Sequence, residues 1–232
     1  MQRREFNHAA WAALCGLLVC GGAARAQSVA TLSSADALAG IREALAGGAK
    51  TAVLQLGQPG GFLNNPKVRI GLPGFLEDAA TLIKATGQGK RLDVLVQAMN
   101  EAAEKAVPLT ADLLDKAIRG MGVDDARRLL TGGDTSVTDF FGEKTRAPLT
   151  AQLLPIVKVT TDQVQLTDKY QAVAGRMAKL GLVKPEEADL PSYVAGRALS
   201  GLYQVIGDEE RKIRQNPAQA GSAILKKVFG AL

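Results

Sequence analysis

Apolar residues recur at helical spacing along almost the whole chain after residue 34. In the first such stretch, Leu38, Ile41, Leu45 and Ala49 follow one another at steps of three or four residues. This spacing places them on one face of an α-helix, whereas a half-buried strand needs strict alternation. Hydrophobic residues make up 47% of the sequence and aromatic residues only 4%, so we expect an aliphatic core. The sequence predicts an all-α protein, a single irregular bundle of about eight to ten helices.

Capping residues and prolines set the expected ends of several helices. Ser34 is a good N-cap for a first helix over residues 35–56. Asp134 is placed to cap a later helix. Pro148 is expected near the first turn of another helix, and Pro155 is expected to kink or divide it.

One long irregular segment, residues 57–74, is dense in glycine and proline. Loops of this length are usually functional or are packed as ordered connections. A phosphate-binding loop is disfavoured because the required lysine and serine or threonine do not follow the glycines. We expect Phe62 and Leu63 to insert the loop into the helical core, with Asn64 and Asn65 as candidate binding residues beside them.

The first 26 residues have the pattern of an export signal. Arg3 and Arg4 precede a short apolar run over residues 9–20, and the run ends at the A-x-A triplet of residues 24–26. The two arginines resemble the core of a twin-arginine signal, and an ordinary secretory signal is the alternative. The pattern predicts cleavage before Gln27, a periplasmic location, and one domain over residues 27–232.

Loss of this leader removes most of the chemically reactive side chains. The only histidine, the only tryptophan and both cysteines lie within it, at His8, Trp11, Cys15 and Cys20. Residues 27–232 therefore exclude a disulfide, a cysteine nucleophile, a Ser-His-Asp triad and a zinc site of the usual kind. We expect no metal, no cofactor and no catalytic residue.

The charge pattern argues against nucleic acid as a partner. The net charge of the whole chain is +5, and it falls to +3 without the leader because the leader holds three arginines and one glutamate. The basic pairs are scattered among acidic residues, with no aromatic platform beside them. After the leader, no apolar stretch is long enough to cross a membrane.

Two groups of polar residues are candidates for a site. Asn100, Glu101 and Glu104 share one predicted helix, and the two glutamates are spaced to share a cation. The interpretation that we favour is a buried, hydrogen-bonded Asn100 beside two solvated glutamates. In the charged run over residues 209–214, one arginine is able to reach into the bundle and pair with Asp134 or Glu104.

Several sequence blocks together resemble an exported bacterial family that is catalogued as domain of unknown function 4197. The blocks are GFLNNP (61–66) with IGLP (70–73), MNEAAEKA (99–106), DDARRLL (124–130) with GDT (133–135), YV (193–194) with ALSGLY (198–203), and EERKIRQNP (209–217). The resemblance runs from about Leu38 to Phe229 and implies no particular activity. It also implies an aspartate in place of Ser200 and a proline in place of Gly71, so this chain departs from the expected pattern twice.

These observations favour a non-enzymatic periplasmic binding or interaction protein whose partner is a peptide, a lipid or an envelope protein. The alternative is a hydrolase of envelope polysaccharide that uses carboxylates alone, which needs two acids facing each other across a cleft. A purely structural envelope component is a third interpretation. The candidate binding residues are Phe62, Asn64, Asn65, Asn100, Glu104, Asp134 and Arg211.

Overall fold

A computed structural model of the chain describes residues 32–85, 87–122, 126–179 and 189–232. The predicted leader, Asp124 and Asp125 lie outside the described residues. The described α-helices are α1 (Ser34–Leu56), α2 (Gly74–Ala85), α3 (Gly89–Ala106), α4 (Ala111–Gly120), α5 (Ala126–Leu130), α6 (Ser136–Gln163), α7 (Leu166–Lys179), α8 (Leu190–Gln215) and α9 (Ala223–Phe229). Two 3-10 helices, Val107–Thr110 and Pro217–Gln219, complete the regular elements of these residues. The all-α class is confirmed, and the nine described α-helices fall within the predicted number.

Helix α8 lies at the centre of the bundle, with its most extensive contacts to α1 and α6. Its apolar positions Val194, Ala198 and Leu202 are completely buried. The approach to α1 is close because Gly48 has no side chain: a methyl group there would lie 3.1 Å from Ile206 Cγ2. Burial of aliphatic side chains on both faces of α8 stabilises the bundle by about 25 cal/mol for each Å² removed from water.

The N-terminus of α1 is capped one residue earlier than the sequence predicts. Ser33, and not Ser34, has the extended backbone of an N-cap, and its Oγ accepts a hydrogen bond from the Asp36 N–H at 3.0 Å. The prediction was wrong because two adjacent serines are equivalent by residue type. Only the backbone conformation decides which hydroxyl reaches the free N–H group.

Helix α6 continues through both of its prolines. Pro148 lies well inside it, so the expectation for Pro148 was wrong, and Pro155 does not divide it. The prolines are exposed, which leaves water to satisfy the carbonyl groups that their missing N–H groups release. On the opposite side, Leu149, Leu153 and Val157 are buried and hold the helix against the core.

A tight turn separates α6 from α7. Gln165 has φ of +54°, a left-handed conformation that interrupts the helix. Val164 and Leu166 on either side are buried, and the Lys169 ammonium donates a hydrogen bond to the Val164 carbonyl. Burial of both neighbours fixes the turn and redirects the chain back along the bundle.

None of the described helices combines the length and the apolar character that a membrane span needs.

Candidate functional site

Glu104 of α3 anchors the segment formed by residues 57–73, which joins α1 to α2. One carboxylate oxygen accepts hydrogen bonds from the Phe62 and Leu63 N–H groups at 3.0 and 3.1 Å, and the other accepts from the Gly60 N–H at 3.0 Å. Glu104 is buried, so the expectation that it is solvated was wrong. The segment has no helix to satisfy its own N–H groups, and a carboxylate from α3 takes over that role.

Asn100 holds the same segment one helical turn earlier on α3. Its Oδ1 accepts a hydrogen bond from the Ile70 N–H at 2.9 Å, and its Nδ2 donates to the Ile70 and Val96 carbonyl groups at 2.8 and 2.7 Å. The side chain is fully buried, which confirms the expected buried hydrogen bond. Asn100 and Glu104 are thus directed at the backbone of residues 57–73 and not at an open cavity.

The remaining candidates of this segment shape its turns. Phe62 is completely buried, as expected, and a methyl group on Gly201 of α8 would lie only 2.7 Å from its ring. Asn64 is exposed, and its N–H donates to the Gly60 carbonyl at 2.9 Å. Asn65 Oδ1 accepts a hydrogen bond from the Lys67 N–H at 3.1 Å. These contacts make the segment a packed connection.

Asp134 and Arg211 meet at the surface near the start of α6. Arg211 Nε lies 3.8 Å from Asp134 Oδ2, and Arg211 Nη1 donates to Asp208 Oδ1 at 2.7 Å. Asp134 does not cap α6. The N-cap residue is Thr135, and the Thr135 side chain accepts no capping hydrogen bond from the helix. The capping expectation for Asp134 was therefore wrong.

Glu210 of α8 supplies the missing cap of α6. Its carboxylate accepts hydrogen bonds from the Val137 and Thr138 N–H groups at 3.1 and 2.8 Å and from the Thr138 hydroxyl at 2.7 Å. A negative charge here also complements the dipole of α6. Arg214 lies 2.8 Å from this buried carboxylate, so it is the arginine that reaches into the bundle, with Glu210 as its partner.

Next to these contacts lies a groove between α6 and α8, with a volume of about 430 Å³. Gly142 and Gly207 contribute no side chains to it, which leaves room between the two helices. Most of the other lining residues are polar or charged. The lining residues are Thr135, Thr138, Asp139, Gly142, Glu143 and Arg146 from α6 and its N-cap, and Ser200, Tyr203, Gln204, Gly207 and Arg211 from α8.

Arg146 is held in a defined position in this groove, which we call the α6–α8 groove. Its Nη1 donates to Ser200 Oγ at 3.0 Å, and its guanidinium carbon lies 4.9 Å from the centre of the Tyr203 ring. In the part of the chain that the structure describes, no acidic side chain forms an ion pair with Arg146. The groove thus contains a positioned cation without a counterion among the described residues.

Tyr203 is itself fixed by its neighbours. Its hydroxyl lies 2.8 Å from Thr145 Oγ1, and its ring packs edge-on against Phe141 with 5.9 Å between the ring centres. Burial raises the pKa of the Tyr203 phenol, against smaller opposing effects of Thr145 and Arg146. The hydroxyl is therefore protonated at neutral pH and serves as a neutral support for the arginine.

Arg211 was predicted from the sequence as a site residue, whereas Arg146 and Tyr203 were not. Arg146 and Ser200 are 54 residues apart in the chain, and no local spacing relates them. The one available signal was Ser200, which stands where the resemblance implies an aspartate.

Comparison with known proteins identifies the same family that the sequence blocks resemble. A family model described as "Protein of unknown function (DUF4197)" matches residues 31–230. The chain belongs to the DUF4197 family. No curated protein and no solved structure matches it. The DUF4197 match includes both the segment of residues 57–73 and the α6–α8 groove.

The two departures from the expected DUF4197 pattern have different surroundings. Ser200 lies in the groove and accepts the hydrogen bond from Arg146. Gly71 lies at the end of the segment held by α3, where its carbonyl accepts a hydrogen bond from the Tyr193 hydroxyl at 3.1 Å. Of the two expected residues, only an aspartate at position 200 would place a charge in the groove, beside Arg146.

The buried acidic residues of this DUF4197 protein support its fold. Glu104 and Glu210 are buried and accept several hydrogen bonds each. Asp139 and Glu143 line the groove, but they lie one turn apart on α6 and share one face of that helix. Within the described residues, no three potential metal ligands cluster. The carboxylate hydrolase stays an untested prediction.

Proposed function

We propose that this protein is a non-enzymatic binding protein that holds a peptide segment of an envelope partner in the α6–α8 groove. The observation that carries the proposal is Arg146, a cation that Ser200 and Tyr203 hold in place while no described carboxylate neutralises it. A positioned arginine with free N–H groups is a common means of recognising carboxylates.

The shape of the groove supports a binding role. Its volume of about 430 Å³ lies within the range of about 300–1,000 Å³ that is typical of ligand pockets. Glycine in the middle of a helix costs about 1 kcal/mol relative to alanine. At Gly142 a methyl group would have room, 3.8 Å from the Tyr203 ring. The protein thus leaves space at a position where packing alone would accept a larger residue.

The chemistry of the lining favours a peptide over a lipid. Acyl chains require an apolar channel, whereas threonine, serine, glutamine and charged side chains line this groove. A peptide presents backbone amide groups and charged ends that such a lining can satisfy.

Binding of fluorescein-labelled hexapeptides with free or amidated carboxyl ends, followed by anisotropy, tests this proposal. Two variants fill the groove from opposite walls: Gly142→Leu on α6 and Gln204→Trp on α8. We expect peptides that bind the unchanged protein to bind each variant about tenfold more weakly or worse. The matched control is Arg119→Gln, a change at an exposed surface pair with Asp115, and it should leave binding unaltered.

Circular dichroism establishes that each variant keeps its helical content. If no peptide binds the unchanged protein, or if both folded groove variants bind as well as it does, the proposal is wrong.

We also propose that the protein acts in the periplasm after loss of residues 1–26. The arginine pair, the apolar run and the A-x-A triplet support this location, and the family match begins at residue 31, after the expected cleavage point. Mass spectrometry of the native protein from a periplasmic fraction should find Gln27 as its first residue. A native protein that retains His8 and Cys15 would contradict the proposal.

A further inference from the structure

We propose that the α6–α8 groove recognises the carboxyl end of a peptide whose last residue is basic. This inference rests on the proposed function and specifies its ligand. The terminal carboxylate binds Arg146, and the positively charged side chain of the same terminal residue binds Asp139 and Glu143.

The carboxylate half of the proposal follows from the contacts of Arg146. A guanidinium group has five N–H donors, and the hydrogen bond to Ser200 Oγ uses one of its terminal nitrogens. Ser200 Oγ also donates to the Gly196 carbonyl at 2.9 Å, which fixes the serine as an acceptor for Arg146. The guanidinium lies over the Tyr203 ring, and its Nε and Nη2 groups make no hydrogen bond to the described residues, which leaves them to bind a carboxylate in a bidentate manner.

The other cation of the groove is already neutralised. Arg211 pairs with Asp208 at 2.7 Å and lies 3.8 Å from Asp134. Arg211 therefore adds little attraction for a ligand carboxylate, and Arg146 marks the place where that carboxylate binds.

The cationic half of the proposal follows from the two acids on α6. Asp139 accepts a hydrogen bond from the Thr135 hydroxyl at 2.9 Å and forms no ion pair among the described residues. Glu143 is paired only with its neighbour Lys144, at 3.7 Å, and both side chains are more than half exposed. Two acids lined up beside one free arginine favour a ligand that carries a positive charge in addition to its carboxylate.

The spacing of these charges fits one amino-acid residue. From the helical rise of about 1.5 Å per residue, the Cα atoms of Glu143 and Asp139 lie about 4.5 Å and about 10.5 Å from that of Arg146 along the axis of α6. An extended lysine places its ammonium roughly 7 Å from its own carboxylate, by ordinary bond lengths. With its carboxylate on Arg146, a terminal lysine directed along α6 therefore reaches the part of the helix between Glu143 and Asp139.

Three labelled peptides separate the two halves of the proposal. The first is Gly-Ala-Ala-Lys with fluorescein on its N-terminal amine and a free carboxylate, the second is its amide, and the third has norleucine in place of lysine. We expect the first to bind at least about tenfold more tightly than either of the others, since each of the others lacks one charge-assisted contact. Equal affinity for the acid and the amide would overturn the inference, and so would equal affinity for the lysine and norleucine peptides.

Variants of the groove residues assign each contact. Arg146→Gln should remove the preference for the acid over the amide and keep the preference for lysine over norleucine. The pair Asp139→Asn with Glu143→Gln should do the reverse. Ser200→Asp places a carboxylate beside Arg146 and should weaken the free-acid peptide about tenfold or more, with a smaller effect on the amide. Arg119→Gln is the control and should change neither preference.

The outcome distinguishes this inference from the proposed function. Suppose that Gly142→Leu and Gln204→Trp weaken peptide binding, but the acid binds no better than the amide and lysine no better than norleucine. The groove then binds peptides, but it does not recognise a basic carboxyl terminus. If those two variants leave binding of the lysine peptide unchanged, the groove is not the binding site, and the proposed function fails as well.

Discussion

Single buried carboxylates determine how the irregular parts of this protein are held. Glu104 receives three backbone N–H groups from residues 60–63, and Glu210 receives two at the start of α6. Burying a carboxylate is costly unless hydrogen bonds compensate for lost water. The N–H groups of a turn and of a helix N-terminus provide that compensation, and in return the carboxylate satisfies N–H groups that have no other partner.

Replacement of Glu104 by glutamine should therefore destabilise the protein strongly. In Glu104→Gln the amide NH₂ group faces N–H donors, and at least one of them loses its acceptor. We expect the free energy of unfolding to fall by about 2–4 kcal/mol, as measured by urea denaturation. Glu101→Gln is the matched control, because Glu101 is on the same helix and its hydrogen-bond partner is the Gln97 side chain. It should change stability by less than about 0.5 kcal/mol, and equal effects of the two changes would contradict this account.

At the scale of elements, helix α1 shows that the glycines of one helix have different roles. Gly40 lies against Val228 of α9, where a methyl group would be 2.8 Å from the valine side chain. Gly48 lies against Ile206 of α8 at 3.1 Å. Gly47, next to it in sequence, has nothing within 4 Å of a methyl group. Close packing therefore explains Gly40 and Gly48, whereas Gly47 only lowers the helix propensity of α1.

Alanine at these positions should change stability in opposite directions. Gly47→Ala should raise the free energy of unfolding by about 0.5–1 kcal/mol, since alanine favours the helix and meets no neighbour. Gly40→Ala should lower it by about 1–3 kcal/mol because buried Val228 has little freedom to move. Thermal and chemical unfolding of the two variants give the comparison. A stabilising Gly40→Ala would show that α9 adjusts its position freely against α1.

At the scale of the whole molecule, Asp208 joins α8 to the segment of residues 57–73. It is on α8, it accepts a hydrogen bond from Lys67 of the 57–73 segment at 2.9 Å, and it also binds the groove residue Arg211. Burial raises the pKa of Asp208, but the hydrogen bonds from Lys67 and Arg211 outweigh burial and the net pKa is lowered. The charged form of Asp208 is therefore favoured by folding.

The contribution of Asp208 to the free energy of unfolding should decrease as the pH is lowered. Because its folded pKa is below the ordinary value of 3.8, its stabilisation is complete well above that pH and is lost as the pH falls through the lower folded value. We expect Asp208→Asn to lower the free energy of unfolding by about 1 kcal/mol at pH 6 and to have a smaller effect at pH 3. Urea denaturation at both pH values measures the difference.

Asp115→Asn is a suitable comparison for that experiment, since it removes an exposed ion pair with Arg119 within one helix. Its effect should stay below about 0.5 kcal/mol at both pH values. A cost of Asp208→Asn that grows as the pH is lowered would show that the sign of the linkage is wrong.

Local sequence patterns predicted the helices, and they also predicted that Phe62 and Asn100 are buried. Ile41, Leu45 and Ala49 are buried on one face of α1, as their spacing indicated. Phe62 is in the core and Asn100 makes its buried hydrogen bonds. These features depend on residues within a few turns of one another, or on how strongly a side chain avoids water, and both can be judged from residue type and spacing.

Only the tertiary structure decided which polar residues meet. Glu104 binds an N–H group 44 residues away, Glu210 binds one 73 residues away, and Arg146 binds Ser200 across 54 residues. An acidic or basic residue on a helix has the same sequence pattern whether it faces water or another helix. Its burial and its partner depend on how α3, α6 and α8 pack together. The sequence by itself therefore determined a helical bundle with an aliphatic core. Packing of its helices determined where the groove opens and that Arg146 has no counterion among the described residues.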